Sequence, residues 1–75
     1  MSQALYQAFC RNVRERMTEL KISQSELAER LGVTPGYVSQ ILNNHRRPGL
    51  DTLDEFATAL ETDAARLIKI LAKTA

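Results

Sequence analysis

The sequence is poor in the features that mark several large classes of protein. A single cysteine, Cys10, excludes an internal disulfide and so a secreted, disulfide-rich scaffold. There is no tryptophan, and no apolar run reaches the roughly 18 residues that a membrane-spanning helix needs. The one histidine lies far from the cysteine in the sequence, and neither a metal-ligand cluster nor a Gly-rich phosphate loop is present. We therefore expect no metal site, no cofactor and no enzymatic activity.

Net charge is also nearly absent, but the charges that exist are unevenly placed. The formal net charge of +1 excludes a polybasic nucleic-acid tail and an acidic disordered segment. Residues 1–50 carry seven basic and four acidic side chains, whereas residues 51–75 carry three basic and five acidic ones, which gives +3 and −2. An anionic partner should therefore meet the first two thirds of the chain. Residues 1–11 lack the basic and apolar regions of a signal peptide, so we expect a cytoplasmic protein.

Apolar periodicity and capping residues predict five helices and no strand. The first segment places its apolar side chains within one arc of a helical wheel, with Cys10 at the edge as a half-buried, inert thiol. We expect a compact all-α bundle forming one domain, residues 1–75. The predicted helical segments, with the third and fifth counted from their N-caps, are residues 3–20, 24–31, 34–43, 50–60 and 63–72.

The second and third segments carry the clearest boundary signals. Ser23 and Glu26 form a Ser-x-x-Glu capping box, and Gly32 suits the left-handed residue that ends a helix. Thr34 is the expected N-cap of the next helix. Residues 24–43 are therefore predicted to be two helices of about two turns joined by a tight turn, the arrangement of a helix-turn-helix DNA-binding unit.

One face of the third segment is polar but uncharged. Its members share a roughly 100° arc of the helical wheel, estimated at 100° per residue. They are Gly36, Ser39, Gln40 and Asn43. Hydroxyl and amide groups hydrogen-bond to base edges, and Gln and Asn suit adenine. The alternative is that these residues merely cover a solvated helix face.

Basic residues follow this helix directly. His45, Arg46 and Arg47, here named the arginine loop, stand where arginines can neutralise phosphates beside a groove. Ion pairing of the two arginines with Asp51 or Glu55 is the alternative.

Two further side chains are candidates for contacts to an anionic backbone. Gln24 begins the second helix, where free backbone N–H groups attract phosphate. Tyr37 lies at the edge of the uncharged face, and it either packs on the core with its hydroxyl outward or reaches a phosphate.

The sequence of residues 23–43, SQSELAERLGVTPGYVSQILN, resembles the phage repressor and Cro family of helix-turn-helix regulators, also called lambda-repressor-like. The continuation RRPGLDTL, residues 46–53, resembles this family's usual entry to its fourth helix. The resemblance implies a five-helix bundle whose third helix enters the major groove. Matched by position, it implies contacts to bases or adjacent phosphates from Gln24, Ser39, Gln40 and Asn43. In the same way it implies backbone contacts from Thr34, Tyr37, His45, Arg46 and Arg47.

The departures from the family pattern include Asn44 and Glu61. Asn44 stands where a glycine is common, and it can take the left-handed conformation. Glu61 stands where many members have a glycine at the end of the fourth helix. It must therefore either adopt a strained conformation or close that helix differently.

Members of the family bind as two-fold dimers, so the resemblance also implies a homodimer. The predicted helix 63–72 offers Leu67, Ile70 and Leu71 as a candidate interface, with Ile70 as a scattered exposed apolar residue being the alternative.

The predicted function is that of a sequence-specific regulator of transcription that binds double-stranded DNA. It is expected to be a cytoplasmic, nucleoid-associated repressor, encoded by a bacterium or a phage, that acts as a dimer on a palindromic operator. Three alternatives share the fold: an antitoxin with a toxin partner, a restriction–modification controller, and a helical protein-binding module that does not bind DNA.

Overall fold

The computed structural model describes residues 2–69, and this part of the chain consists of five α-helices with no strand. The all-α, five-helix prediction is therefore confirmed. The radius of gyration of 11.7 Å matches the roughly 11 Å expected for a compact domain of this length. The helices are α1 (Gln3–Leu20), α2 (Gln24–Leu31), α3 (Pro35–Leu42), α4 (Leu50–Ala59) and α5 (Ala64–Leu67).

Side-chain caps set the bounds of the two central helices. The Ser23 hydroxyl accepts a hydrogen bond from the Glu26 backbone N–H at 3.1 Å, and the Thr34 hydroxyl accepts one from the Tyr37 N–H at 3.2 Å. Gly32 ends α2 in the left-handed conformation, with φ of 74°. Each predicted N-cap residue is confirmed, because local side-chain chemistry satisfies N–H groups that a helix start leaves unpaired. Only half of the predicted capping box forms within the described residues, since the Glu26 carboxylate pairs with Arg30.

The core lies between α1, the helix pair α2–α3 and α4. At its centre the rings of Phe9 and Phe56 meet edge to face, with centroids 5.3 Å apart. Leu50, which helical periodicity places on the apolar face of α4, is instead 84% exposed, because it is the first residue of that helix. The buried side chains are Tyr6, Ala8, Phe9, Val13, Met17, Leu27, Ala28, Val38, Ile41, Leu42, Pro48, Leu53, Phe56, Ala57, Leu60 and Leu67.

Two arginines close the end of α4. Glu61 adopts the left-handed conformation, with φ of 58°, so the strained alternative is the one that the chain takes. Arg16 of α1 donates to the carbonyl oxygens of Leu60 and Glu61 at 2.8 and 3.0 Å. Arg30 of α2 donates to the carbonyl oxygen of Ala59 at 2.9 Å. The guanidinium groups thus satisfy carbonyls that the helix end leaves unpaired, and their charge complements the helix dipole.

The fifth helix is shorter than predicted. It ends at Leu67, and Ile68 is already outside helical geometry. The side-chain amide of Asn12 donates to the carbonyl oxygens of Leu67 and Lys69 at 2.8 and 2.9 Å, and Arg11 donates to that of Lys69 at 3.2 Å. These side chains of α1 donate to carbonyl oxygens at the end of α5, in place of the backbone N–H groups that would continue the helix.

The structure describes one of the three residues expected at a dimer interface. Leu67 is only 2% exposed and lies in the core, so its side chain already packs within the single chain. Ile70 and Leu71 lie outside the described residues.

Candidate nucleic-acid interface

The helix-turn-helix unit is held rigid by a small apolar joint. Leu27 and Ala28 of α2 pack in the same buried cluster as Val38 and Ile41 of α3. Across the turn, the N–H of Val33 donates to the carbonyl oxygen of Ala28 at 3.0 Å. Helices of eight residues are unstable alone in water, so this joint fixes the angle between them.

The uncharged face of α3 is turned away from this joint. Gly36, Gln40 and Asn43 are exposed and Ser39 is half-buried. A Cβ atom added at Gly36 would come no closer than 3.9 Å to the Thr34 hydroxyl, so the backbone there stands clear of other atoms. The apolar and polar faces of α3 therefore separate as the sequence predicts.

Asn43 and Gln40 differ in their freedom to bind a partner. The Asn43 amide nitrogen donates to the Ser39 hydroxyl at 3.0 Å and to its carbonyl at 2.9 Å, while the Asn43 side-chain oxygen accepts from Arg14 at 3.3 Å. The Gln40 side chain has no hydrogen bond within residues 2–69. Gln40 is thus the free amide of this face, whereas Asn43 must exchange internal bonds to contact anything else.

Arg14 joins α1 to the end of α3, although the helical wheel places it on the far side of the first helix. Its guanidinium donates to the carbonyl oxygen of Leu42 at 3.1 Å. A cation at a helix C-terminus is stabilising. No local signal in the sequence identifies such a contact, because it joins residues that are 28 positions apart.

The chain turns sharply after α3 and leads into the arginine loop. Asn44 is left-handed, with φ of 70°, which confirms the prediction for this residue. The N–H of His45 then donates back to the carbonyl oxygen of Gln40 at 2.9 Å, the bond of a helix-closing Schellman turn. The loop therefore starts from a fixed point at the end of the exposed face.

Two tyrosine rings hold the arginine side chains. The Arg46 guanidinium carbon lies 5.2 Å from the centroid of the Tyr37 ring, and that of Arg47 lies 5.4 Å from the centroid of the Tyr6 ring. Arg47 also donates to the side-chain oxygen of Gln3 at 2.7 Å. Tyr37 packs against the core as one alternative proposed, and its hydroxyl has no hydrogen bond in the described chain.

The ion pairs that join two of the described residues do not include Arg46. They join Arg16 to Glu19, Arg30 to Glu26 and Glu61, and Arg66 to Asp63. In this part of the chain Arg46 pairs with neither Asp51 nor Glu55, so that alternative is wrong for Arg46. Its charge, together with that of Arg14, is left uncompensated by a neighbouring carboxylate and makes this side of the bundle attractive to anions.

Tyr6 connects α1 to both parts of the interface. Its hydroxyl hydrogen-bonds to the carbonyl oxygen of Ile41 in the last turn of α3, and it lies 2.9 Å from the carbonyl oxygen of Arg46. The Cys10 thiol, half-buried as predicted, lies 3.4 Å from the same Ile41 oxygen. Burial raises the pKa of the Tyr6 hydroxyl and that of the Cys10 thiol, so both stay protonated at neutral pH. The hydroxyl of a buried tyrosine usually has a hydrogen-bond partner. A tyrosine on the apolar face of the first helix was therefore the sequence signal for this contact.

The remaining candidates lie at helix starts. Gln24 is half-buried in the first turn of α2, and Thr34 is exposed with its hydroxyl engaged as the cap of α3. Residues 2–69 hold no group of three or more His, Cys, Asp or Glu side chains placed to bind a metal ion. No helix in the same range is long and apolar enough to cross a bilayer.

Comparisons with known proteins agree with this geometry. A helix-turn-helix family model matches residues 13–71. An uncharacterized HTH-type transcriptional regulator of Archaeoglobus fulgidus is 40% identical over 52 residues, which cover 68% of this chain and 23% of that protein. The chain therefore spans about a quarter of the length of this relative.

Solved structures with the same fold include two bacterial proteins. The hypothetical transcription factor NHTF from Neisseria superposes with a TM-score of 0.84 and is 27% identical, covering 89% of this chain and 77% of that one. The restriction-modification controller protein C.AhdI from Aeromonas hydrophila has a TM-score of 0.76 and 29% identity, covering 83% of this chain and 94% of that one. Because the family model matches most of the sequence and the helix-turn-helix is present in the structure, the chain belongs to the lambda-repressor-like helix-turn-helix family of transcriptional regulators.

Proposed function

We propose that this chain is a sequence-specific regulator that binds double-stranded DNA by placing α3 in the major groove. The observation that carries the proposal is the exposed, uncharged face of α3 with the arginine loop fixed beside it. Amide and hydroxyl groups read base edges, while arginines hold the phosphates on either side.

Within this interface the residues divide by what they are free to do. Gln40, with no internal hydrogen bond in the described chain, reads a base edge directly. Ser39 and Asn43 form a hydrogen-bonded pair in the free protein, and the Asn43 amide exchanges these internal bonds for bonds to DNA. Gly36 adds no side chain and lets the backbone of α3 approach the groove closely.

Five further residues contact the sugar–phosphate backbone in this proposal. Two lie at helix starts, where backbone N–H groups and the helix dipole attract phosphate. Among the others, the arginines supply positive charge, and the tyrosine and the histidine supply polar groups beside the groove. They are Gln24, Thr34, Tyr37, His45 and Arg46, with Arg47 as a sixth contact at the far end of the loop.

A two-fold dimer completes the proposed regulator, and an apolar groove supports it. The groove opens between the start of α1, the start of α4 and the end of α5, and Leu50 at its rim is 84% exposed. An isolated leucine so exposed is ordinary, but one beside an apolar groove favours an interface. A second copy seated here adds this groove to the candidate interface residues Leu67, Ile70 and Leu71. The groove is lined by Leu5, Pro48, Gly49, Leu50, Leu53 and Ile68.

The proposed mechanism is steric repression. A dimer of this kind occupies two half-sites about one helical turn apart, and a palindromic operator mirrors its symmetry. A dimer bound over a promoter blocks polymerase. A restriction–modification controller is the second candidate, favoured by the likeness to C.AhdI over nearly the whole of that protein.

Selection of bound duplexes from a random DNA pool tests the proposal. We expect enrichment of a palindromic sequence, and Arg46→Ala should weaken binding to it. Arg66→Ala is the matched control, since Arg66 is a 79% exposed arginine of α5 paired locally with Asp63. Failure to enrich any duplex, or an equal decrease in affinity in both variants, would instead favour a protein-binding module or an antitoxin that depends on its toxin.

A further inference from the structure

Tyr6 lies outside the helix-turn-helix, yet it contacts both parts of the proposed DNA-binding surface. It is 1% exposed and belongs to the core. Its hydroxyl meets a carbonyl oxygen of α3 and a carbonyl oxygen of the arginine loop, and its ring lies under the Arg47 guanidinium. One side chain of α1 therefore connects the end of α3 to the main chain of Arg46 and the side chain of Arg47.

One of the two carbonyl groups at the Tyr6 hydroxyl, that of Ile41, lacks its usual helical donor. Ile41 lies in the last turn of α3, where carbonyl oxygens lack the usual helical donor. The N–H that would normally serve it, that of His45, is bonded to Gln40 instead. Tyr6 and the weak thiol donor of Cys10 take its place.

We propose that Tyr6 is a positioning residue that sets the distance between α3 and the arginine loop. This distance decides whether the loop can contact phosphates while α3 contacts bases. This inference rests on the proposed DNA-binding function. A loop held in its bound geometry loses less conformational freedom on binding, which raises affinity without adding a contact to DNA.

The hydroxyl suits this role because it stays a donor. Burial, and after it the neighbouring Cys10, raises the pKa of Tyr6, so the proton remains on the hydroxyl at neutral pH. The ring contributes separately, since its face supports Arg47 whether or not the hydroxyl is present.

The test is Tyr6→Phe, which keeps the ring and removes only the hydroxyl. We expect binding to the selected duplex to weaken about three- to tenfold, in line with the removal of one hydrogen-bond bridge. The slope of log affinity against log salt should become shallower by up to roughly 1.8 per dimer, about 0.9 for each phosphate that the loop no longer neutralises. Discrimination against a duplex with one changed base pair should stay the same, because Gln40 is untouched.

Val13→Ala is the matched control, because Val13 is also a fully buried side chain of α1 but carries no group that could hydrogen-bond to the loop. It should lower thermal stability yet leave the salt slope unchanged. In an Arg46→Ala background, Tyr6→Phe should shift the slope less than it does alone, since the two residues act on the same phosphate.

Three results would overturn the positioning role. The first is a salt slope for Tyr6→Phe equal to that of the wild type, and the second is an equal change in Val13→Ala. The third is full additivity with Arg46→Ala. If the wild type itself bound no selected duplex, the proposed function would be wrong, and the role of Tyr6 would fall with it.

Discussion

Replacing Leu50 by aspartate tests whether the apolar groove is the dimer interface. Leu50 is 84% exposed in the single chain, so Leu50→Asp should leave the stability of the monomer nearly unchanged. Burying a leucine side chain fully contributes about 1.5–3 kcal/mol. In a two-fold interface the residue is buried twice, and the exposed fraction available for burial gives about 2.5–5 kcal/mol per dimer.

That energy corresponds to a dimer dissociation constant raised roughly 60- to 4000-fold, at about 1.4 kcal/mol per factor of ten. Sedimentation equilibrium over a range of concentrations would measure it. Ser25→Asp is the control, because it adds the same charge at an exposed position of α2 outside the groove. If Leu50→Asp and Ser25→Asp dimerised as tightly as the wild type, the groove would not be the interface.

Three further predictions concern Thr34, the neighbouring amides Gln40 and Asn43, and Cys10. Thr34→Ala removes the cap of α3 and should cost about 1 kcal/mol in chemical denaturation; no change would contradict the capping bond. Gln40→Ala should relax preference at one base pair by about 1–3 kcal/mol in competition binding while thermal stability holds. Asn43→Ala should lower both the base-pair preference and the thermal stability, because the Asn43 amide also bonds within the protein. Burial raises the pKa of Cys10 from 9.0, so stability should fall as pH rises above about 9. Cys10→Ala should weaken that dependence, and iodoacetamide should react with the folded protein more slowly than with a free thiol.

The predictable part of the fold is the part set by local chemistry. The capping hydroxyls of Ser23 and Thr34 and the left-handed Gly32 and Asn44 act on neighbouring backbone groups, so the sequence indicates where α2 and α3 begin and end. The bounds of α1 follow from its apolar periodicity in the same way.

The parts that were missed depend on contacts between distant residues. Asn12 and Arg11 take the carbonyls at the end of α5, which ends at Leu67 although its apolar pattern continues. Arg14 and Tyr6 reach α3 from α1, across 28 and 35 positions. Periodicity assigns such residues to a face but does not reveal which carbonyl they meet.

The candidate site also has a part that the sequence predicts and a part that it does not. The uncharged face of α3 follows from helical periodicity, and the structure separates it from the buried Val38 and Ile41. The sequence does not predict that the Gln40 side chain is free while that of Asn43 is hydrogen-bonded, because this depends on three-dimensional contacts. For the same reason it does not predict that Arg46 packs on the Tyr37 ring and not against a carboxylate.

The salt dependence of binding tests the central claim most directly. Affinity of the wild type for the selected duplex is measured across a series of salt concentrations, with Arg46→Ala in parallel. If four to eight phosphates per dimer are contacted, the slope of log affinity against log salt should be about −4 to −7, and Arg46→Ala should make it shallower by roughly 1.8. A flat response, or a slope that Arg46→Ala leaves unchanged, would contradict an interface built from α3 and the arginine loop.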